Sequence, residues 1–211
     1  MNDGGYREEV RISGSGKIAG GRYGKISIGG SGRVEGDVEA NKVTAAGSAV
    51  FDGDLTCEEI IVTGSCRISG RLETDRIVSR GSLTVKLGLE TKEIKSYGSL
   101  KIGGDLKSDA VYFAGSSEIE GDVEAENFVS RGSFEIDGLL TADDIDIWLG
   151  SANSAEEVGG SNIEIRKKSV SLTPDPDSVR HGIENLESRL DKLGEKLGFS
   201  LELDEEKISS G

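Results

Sequence analysis

Residues 30–46 have the sequence GSGRVEGDVEANKVTAA, and residues 47–63, which follow without a gap, have the sequence GSAVFDGDLTCEEIIVT. The Gly-Ser dipeptide returns every 17 residues, so seven units of equal length fill residues 30–148. A fixed period of this size is typical of repeat architectures and decides the fold before any local propensity is considered. A looser copy starts at Gly14, and a broken copy starts at Gly150 after one inserted residue.

Three positions of the repeat are apolar in every unit. With the Gly of Gly-Ser as position one, position five holds Val34, Phe51, Ile68, Val85, Ile102, Ile119 and Ile136. Position nine holds Val38, Leu55, Leu72, Leu89, Leu106, Val123 and Leu140. Position fourteen holds Val43, Ile60, Ile77, Ile94, Val111, Phe128 and Ile145. Positions three, eleven and sixteen are mostly small or apolar, and the positions between are mostly charged or Thr. This alternation predicts strands with one buried face.

The fold class follows from these columns and from the corners between them. Position seven is Gly in six of the seven units, which predicts a corner between two strands with a backbone angle that other residues adopt only at a cost. Three short strands per turn predict an all-β fold, namely a single-stranded parallel β-helix, or β-solenoid, with 17-residue coils and a triangular core. Because one coil alone cannot offset the entropy of ordering its backbone, stability belongs to the stack, and each end is an unfinished sheet.

The regions outside the repeat have their own patterns. We predict a flexible N-terminus, a solenoid domain, a linker containing two prolines, an amphipathic helix and a C-terminal tail, over residues 1–9, 10–168, 169–176, 177–198 and 199–211. The helix is predicted from a heptad seam formed by Val179, Ile183, Leu186, Leu190, Leu193 and Leu197. Three heptads are marginal for an independent coiled coil, so docking onto the solenoid and pairing with another chain are both open.

Charge and composition exclude several classes of function. The formal net charge is −14, which disfavours binding to nucleic acid or to an anionic membrane surface. No apolar run is long enough to span a membrane, and the first residues lack the pattern of a signal peptide, so we expect a cytoplasmic protein without membrane insertion.

We find no catalytic, cofactor-binding or metal-binding constellation in the sequence. Gly24-Lys25 lacks the rest of a phosphate-binding loop. The acid pairs Glu58-Glu59 and Asp143-Asp144 lie at outward positions twelve and thirteen, where neighbouring acids on a solvated ridge are commoner than a carbohydrate-cleaving pair. Cys57 and Cys66 lie at inward positions and are expected to be reduced thiols that fill small core sites.

Two segments resemble a known family. Residues 32–40 (GRVEGDVEA) and 118–125 (EIEGDVEA) resemble units of the bactofilins, a family of polymer-forming cytoskeletal proteins, and the resemblance extends over roughly residues 10–165. It implies a right-handed parallel β-helix that polymerises end to end without nucleotide. The heptad segment departs from the short, unstructured tails that are typical of that family.

Two functions therefore compete. The first is a structural, nucleotide-independent, self-assembling cytoskeletal or scaffold protein whose partner is another copy of itself. Its contacts would be apolar residues at the two ends of the solenoid, namely Val10, Ile12, Ile18, Ile145, Ile147, Ile163 and Ile165. The alternative is a discrete β-solenoid binding module, whose C-terminal helix caps the stack, mediates oligomerisation or binds a protein partner. A solenoid enzyme is disfavoured, because the surface columns show no clear carboxylate cluster.

Overall fold

The structure, a computed structural model, describes residues 7–149 and 153–167, and these form a single sheet of 15 strands in which every pairing is parallel. The strands are β1 (Arg7–Ile12), β2 (Ser15–Ile28), β3 (Ser31–Ala45), β4 (Ser48–Phe51), β5 (Leu55–Val62), β6 (Ser65–Ile68), β7 (Leu72–Ser79), β8 (Ser82–Val85), β9 (Leu89–Ser96), β10 (Ser99–Ile102), β11 (Leu106–Phe113), β12 (Ser116–Ile119), β13 (Val123–Ser130), β14 (Ser133–Leu149) and β15 (Asn153–Lys167). The described residues contain no helix. The predicted all-β class is confirmed for this part of the chain.

Residues one repeat apart lie side by side in the sheet. Short strands stack on short strands, as in the pairing of Ser48 with Ser65, and long strands stack on long strands, as in the pairing of Leu55 with Leu72. β2, β3, β14 and β15 continue through a corner and contribute to both stacks. The result is a parallel β-solenoid of about nine turns, as the 17-residue period predicts.

Over most of the stack each turn consists of two strands, a short one and a long one, and the long strand is bent into two segments. In β5 the buried residues are Leu55, Cys57, Ile60 and Val62, so the spacing of inward side chains is two, then three, then two. Two residues, rather than one, separate the inward side chains of Cys57 and Ile60. The strand bends at these two residues, which stand at positions twelve and thirteen. The second and third predicted strands are therefore one bent strand.

The core is the set of columns that the sequence predicts. All residues at positions five, nine and fourteen of the seven regular units are buried. Large aromatic rings fill part of this core, and Phe128 makes edge-to-face contacts with Phe113 and Phe134 at centroid distances of 5.6 and 5.5 Å. These contacts join three successive coils.

Glycine is required at the corners chiefly because adjacent coils approach closely. A Cβ on Gly64 or Gly81, at position one, would overlap the backbone carbonyl of the preceding coil. At position seven, Gly36 has a positive φ of 98°, but Gly53, Gly70, Gly104, Gly121 and Gly138 do not. The expectation that position seven needs an unusual backbone angle is therefore wrong for most units. Glycine is needed there because a side chain would collide with the preceding coil.

The first and last described strands extend the sheet on both sides of the regular repeat. β1 begins at Arg7, so part of the segment 1–9 is already in the sheet. The broken copy that starts at Gly150 forms a continuous strand over residues 153–167. The predicted linker, the helix with its heptad seam, and the C-terminal tail lie outside the described residues.

Candidate assembly surfaces

The C-terminal end of the solenoid is formed by β15, which pairs with β14 along one edge. Within residues 7–149 and 153–167, no strand pairs with its other edge. Val158, Ile163 and Ile165 lie beside Leu140, Ile145 and Ile147, at positions that are buried in every regular coil. At this end they are 40%, 43% and 57% exposed. The last coil therefore presents exposed apolar side chains beside an edge with which no described strand pairs.

Two of the predicted C-terminal contacts lie one coil inside this end. Ile145 and Ile147 are buried beneath β15, whereas Ile163 and Ile165 are exposed on it. Val158 was missed, because the one-residue insertion after Trp148 shifts the register of the last coil. The signal was present in the sequence, since Leu140–Val158, Ile145–Ile163 and Ile147–Ile165 all have a spacing of 18 residues.

The N-terminal end is less complete. β1 pairs with β2 only from Tyr23 to Ile28, and within the described ranges no strand covers the segment Ser15–Ile18. Of the predicted contacts at this end, Ile12 is buried, and Val10 and Ile18 are half-buried against the core. The structure thus brings the N-terminal set together at one end, and Ile163 and Ile165 at the other.

Tyr23 completes the first coil, in which position nine has no apolar side chain. It stands at position eleven, and Gly21 stands beside Val38 at position nine. The ring is 1% exposed, and its hydroxyl donates a hydrogen bond to the carbonyl of Ala19 at 2.5 Å. A large ring at position eleven thus compensates for the missing side chain at position nine.

Comparison with known proteins agrees with this architecture. Residues 4–89 match the family model of the bactofilins, which is described as polymer-forming cytoskeletal. Residues 4–89 are therefore similar to the bactofilin domain. The predicted resemblance is thereby confirmed over residues 4–89, which include the first of the two repeat segments, and it supports a structural, self-assembling role. No curated protein and no solved structure gives a significant match.

The solenoid continues beyond the matched stretch of the bactofilin domain without a change of register. β9 begins at Leu89, the last matched residue, and the next coils stack on it with the same spacing as those before it. The stacking is reinforced at one corner by position eight. There, Asp37 and Asp54 each accept a hydrogen bond from the backbone N–H one coil further on, at 2.9 and 2.7 Å.

A groove of about 820 Å³ runs along the solenoid over positions ten to twelve. Its floor consists of small position-eleven residues such as Ala40, Thr74 and Ser108, and its walls are mainly acidic. Lys92 and Lys107 lie in it and form ion pairs with Asp75 and Glu124 at 2.7 and 3.0 Å. Hydrogen bonding to these carboxylates raises the pKa of both lysines. This surface is hydrophilic and strongly negative.

The two acid pairs noted in the sequence are each divided by a corner. Glu58 and Asp143 line the groove. Glu59 instead accepts a hydrogen bond from Lys42 at 2.5 Å, and Asp144 accepts one from Asn162 at 3.0 Å. The two carboxylates of each pair therefore face different surfaces, which does not suit an acid and a base that act on one glycosidic bond.

The cysteines are free and buried, as expected. Burial raises the pKa of the Cys57 thiol to about 11, although its hydrogen bond to Thr74 lowers it, and burial raises the pKa of Cys66 to about 12. Both thiols are therefore protonated and poorly reactive near neutral pH. No group of side chains suited to a metal ion occurs among the described residues, and this part of the chain also has no helix that could cross a membrane.

Proposed function

We propose that this protein assembles into filaments through the ends of its β-solenoid, without a nucleotide. The observation that carries the proposal is the exposure of Val158, Ile163 and Ile165 on β15, at positions that are buried throughout the interior of the stack. A further layer of β-structure on this end would bury them.

The chemistry of such a contact is that of the internal stack. Inside the domain, each coil supplies its neighbour with ladder hydrogen bonds and with apolar side chains in register. The edge of β15 with which no described strand pairs offers backbone hydrogen-bonding groups and apolar side chains to a strand from another copy. Burying the exposed parts of the side chains of Val158, Ile163 and Ile165 contributes on the order of 2–4 kcal/mol, and ladder hydrogen bonds add to this. No step in this scheme requires a bound nucleotide.

Electron microscopy of purified protein, without nucleotide and at moderate salt, tests the proposal. The wild-type chain is expected to form filaments, and Ile165→Glu is expected to shorten or abolish them, because a carboxylate would be buried in the contact. Leu87→Glu is the matched control. Leu87 is 56% exposed and Ile165 is 57% exposed, but Leu87 lies at a side corner in the middle of the stack.

Circular dichroism and thermal unfolding show whether both variants keep the β-fold. Ile12 and Ile147 suit this test less well, because they are buried and a charge there would destabilise the domain itself. Filaments of normal length from Ile165→Glu, or only discrete particles from the wild-type chain at every concentration, would refute assembly through this end. Discrete particles would instead favour the capped binding module.

A further inference from the structure

One flat side of the solenoid has a charge pattern that complements itself. This side, which we call the lateral face, consists of the outward residues at positions thirteen and fifteen, between the bend of each long strand and the next corner. Position thirteen holds Glu9, Lys25, Lys42, Glu59, Arg76, Glu93, Ala110, Asn127, Asp144 and Asn162. Position fifteen holds Arg11, Ser27, Thr44, Ile61, Val78, Lys95, Tyr112, Val129, Asp146 and Glu164. The strand register fixes both rows in this order.

The two halves of the lateral face carry opposite charge. From β1 to the coil of Arg76, basic side chains outnumber acidic ones, and from the coil of Glu93 to β15, acidic side chains outnumber basic ones. Neighbouring charges within one copy form ion pairs, such as Lys42 with Glu59 at 2.5 Å and Arg76 with Glu93 at 3.1 Å. The face also has an outward apolar component, in which Ile61, Val78, Tyr112 and Val129 are half-buried.

We propose that two copies of this chain pair side by side and antiparallel through the lateral face, with the two-fold axis between the coils of Arg76 and Glu93. In this register Arg76 lies opposite Glu93 of the second copy, Lys25 opposite its Asp144, and Arg11 opposite its Glu164. Ile61 lies opposite Tyr112, and Thr44 opposite Val129. No two charges of the same sign are opposed, and the two stacks overlap along their whole described length.

Most other registers place like charges together. Moving the axis onto the coil of Arg76 opposes Arg76 to itself and Glu59 to Glu93. An axis between the coils of Glu59 and Arg76 avoids this, but it leaves Asp144 and Glu164 beyond the overlap without a basic partner. The acidic groove is unsuited to self-pairing, because two copies would bring carboxylates of both walls together.

A pair of introduced cysteines tests the register. In the variant Ile61→Cys with Tyr112→Cys, mild oxidation is expected to link two chains, because each new thiol faces the other in the second copy. A bond within one chain is excluded by geometry. The two positions are three coils apart, about 14 Å at the inter-strand spacing, whereas a disulfide spans at most about 7 Å between Cα atoms. The native cysteines remain buried and protonated under these conditions.

The matched control is Glu58→Cys with Asp109→Cys, which lie on the same two coils but in the acidic groove. Non-reducing electrophoresis and mass spectrometry of the linked peptides give the result. We expect at least a tenfold excess of linked dimer for the lateral pair over the groove pair, decreasing as salt is raised from about 0.05 M to about 0.5 M. Equal linkage of the two pairs, or absence of linkage in the lateral pair, would overturn the proposal.

Charge reversal provides a second, independent readout. Asp144→Lys is expected to reduce linkage, because it opposes a lysine to Lys25, and Lys25→Glu added to it is expected to restore linkage. Failure of the double variant to restore linkage, with the fold intact by circular dichroism, would refute the register. The pairing does not depend on end contacts, so adding Ile165→Glu to the Ile61→Cys, Tyr112→Cys variant should leave its cross-linking unchanged whether or not filaments form.

Discussion

At the scale of single residues, the repeat owes its regularity to close approach between coils rather than to backbone conformation. Gly64, Gly81 and their equivalents at position one lie directly against the preceding carbonyl, so that a methyl group would need the backbone to move. Gly14 occupies the same position in the first copy, but no atom lies within 4 Å of a Cβ there. The same residue type at the same repeat position therefore has different structural importance.

This difference predicts unequal effects of one substitution. Gly81→Ala should lower the free energy of unfolding by about 1–3 kcal/mol, because the added methyl group overpacks a rigid corner. Gly14→Ala should change it by less than about 0.5 kcal/mol. Urea unfolding followed by circular dichroism measures both, and equal effects would show that crowding is not the reason for glycine at position one.

At the scale of elements, the two end coils are completed by residues that do not follow the repeat. At the N-terminus, Tyr23 fills the first coil and hydrogen bonds to Ala19. At the C-terminus, Trp148 contacts Arg131, whose Cζ lies 4.2 Å from the ring centroid, and Arg166, at 5.7 Å. Arg131 also pairs with Asp146 at 3.0 Å. Cation–π contacts of this kind join the last coil to the two before it.

The first coil should therefore depend on one aromatic ring. Tyr23→Ala is expected to destabilise β1 and β2 by about 3–5 kcal/mol, as loss of a buried aromatic ring does, and Tyr23→Phe by about 1 kcal/mol through the lost hydrogen bond. Hydrogen exchange of backbone amides in Ser15–Ile28 measures the effect.

Tyr97→Ala is the control for this experiment, because Tyr97 is 47% exposed and contacts Tyr112 on the surface. It should cost about 1 kcal/mol or less and leave exchange in β2 unchanged. If Tyr23→Ala leaves exchange in β2 as slow as in the wild-type chain, the first coil does not rely on this side chain.

At the scale of the whole molecule, stability and assembly follow from one property of stacked coils. The backbone hydrogen-bonding groups and apolar side chains of each coil are paired and buried only by the neighbouring coils. The net charge of −14 opposes close association, so contacts between copies should form where charge is locally balanced or apolar. The C-terminal coil is apolar, and the charges of the lateral face are balanced between two copies. The acidic groove is neither apolar nor balanced in charge.

If copies of the chain assemble through the ends of the solenoid, the segment after residue 168 should not be needed for filament formation. Deletion of residues 169–211 is expected to leave filaments that resemble those of the full chain by electron microscopy. If the full chain gives only defined oligomers and the deletion converts them into long filaments, the C-terminal segment limits growth, and the capped module is the better description. If the deletion abolishes filaments while the β-fold remains, the segment itself provides a contact.

The sequence by itself determined the class of fold and most of its core. A 17-residue period with three invariant apolar columns specifies which side chains point inward, because neighbouring coils repeat the same alternation, and the bactofilin resemblance followed from the same units. What only the tertiary structure decided is where the stack ends and what its sides present. Ile145 and Ile163 are alike in sequence, but one is buried and the other exposed, because burial depends on whether another coil lies over a residue. In the same way, Tyr23 in the first coil and the opposed charges of the lateral face depend on side chains that are distant in sequence and become neighbours only after stacking.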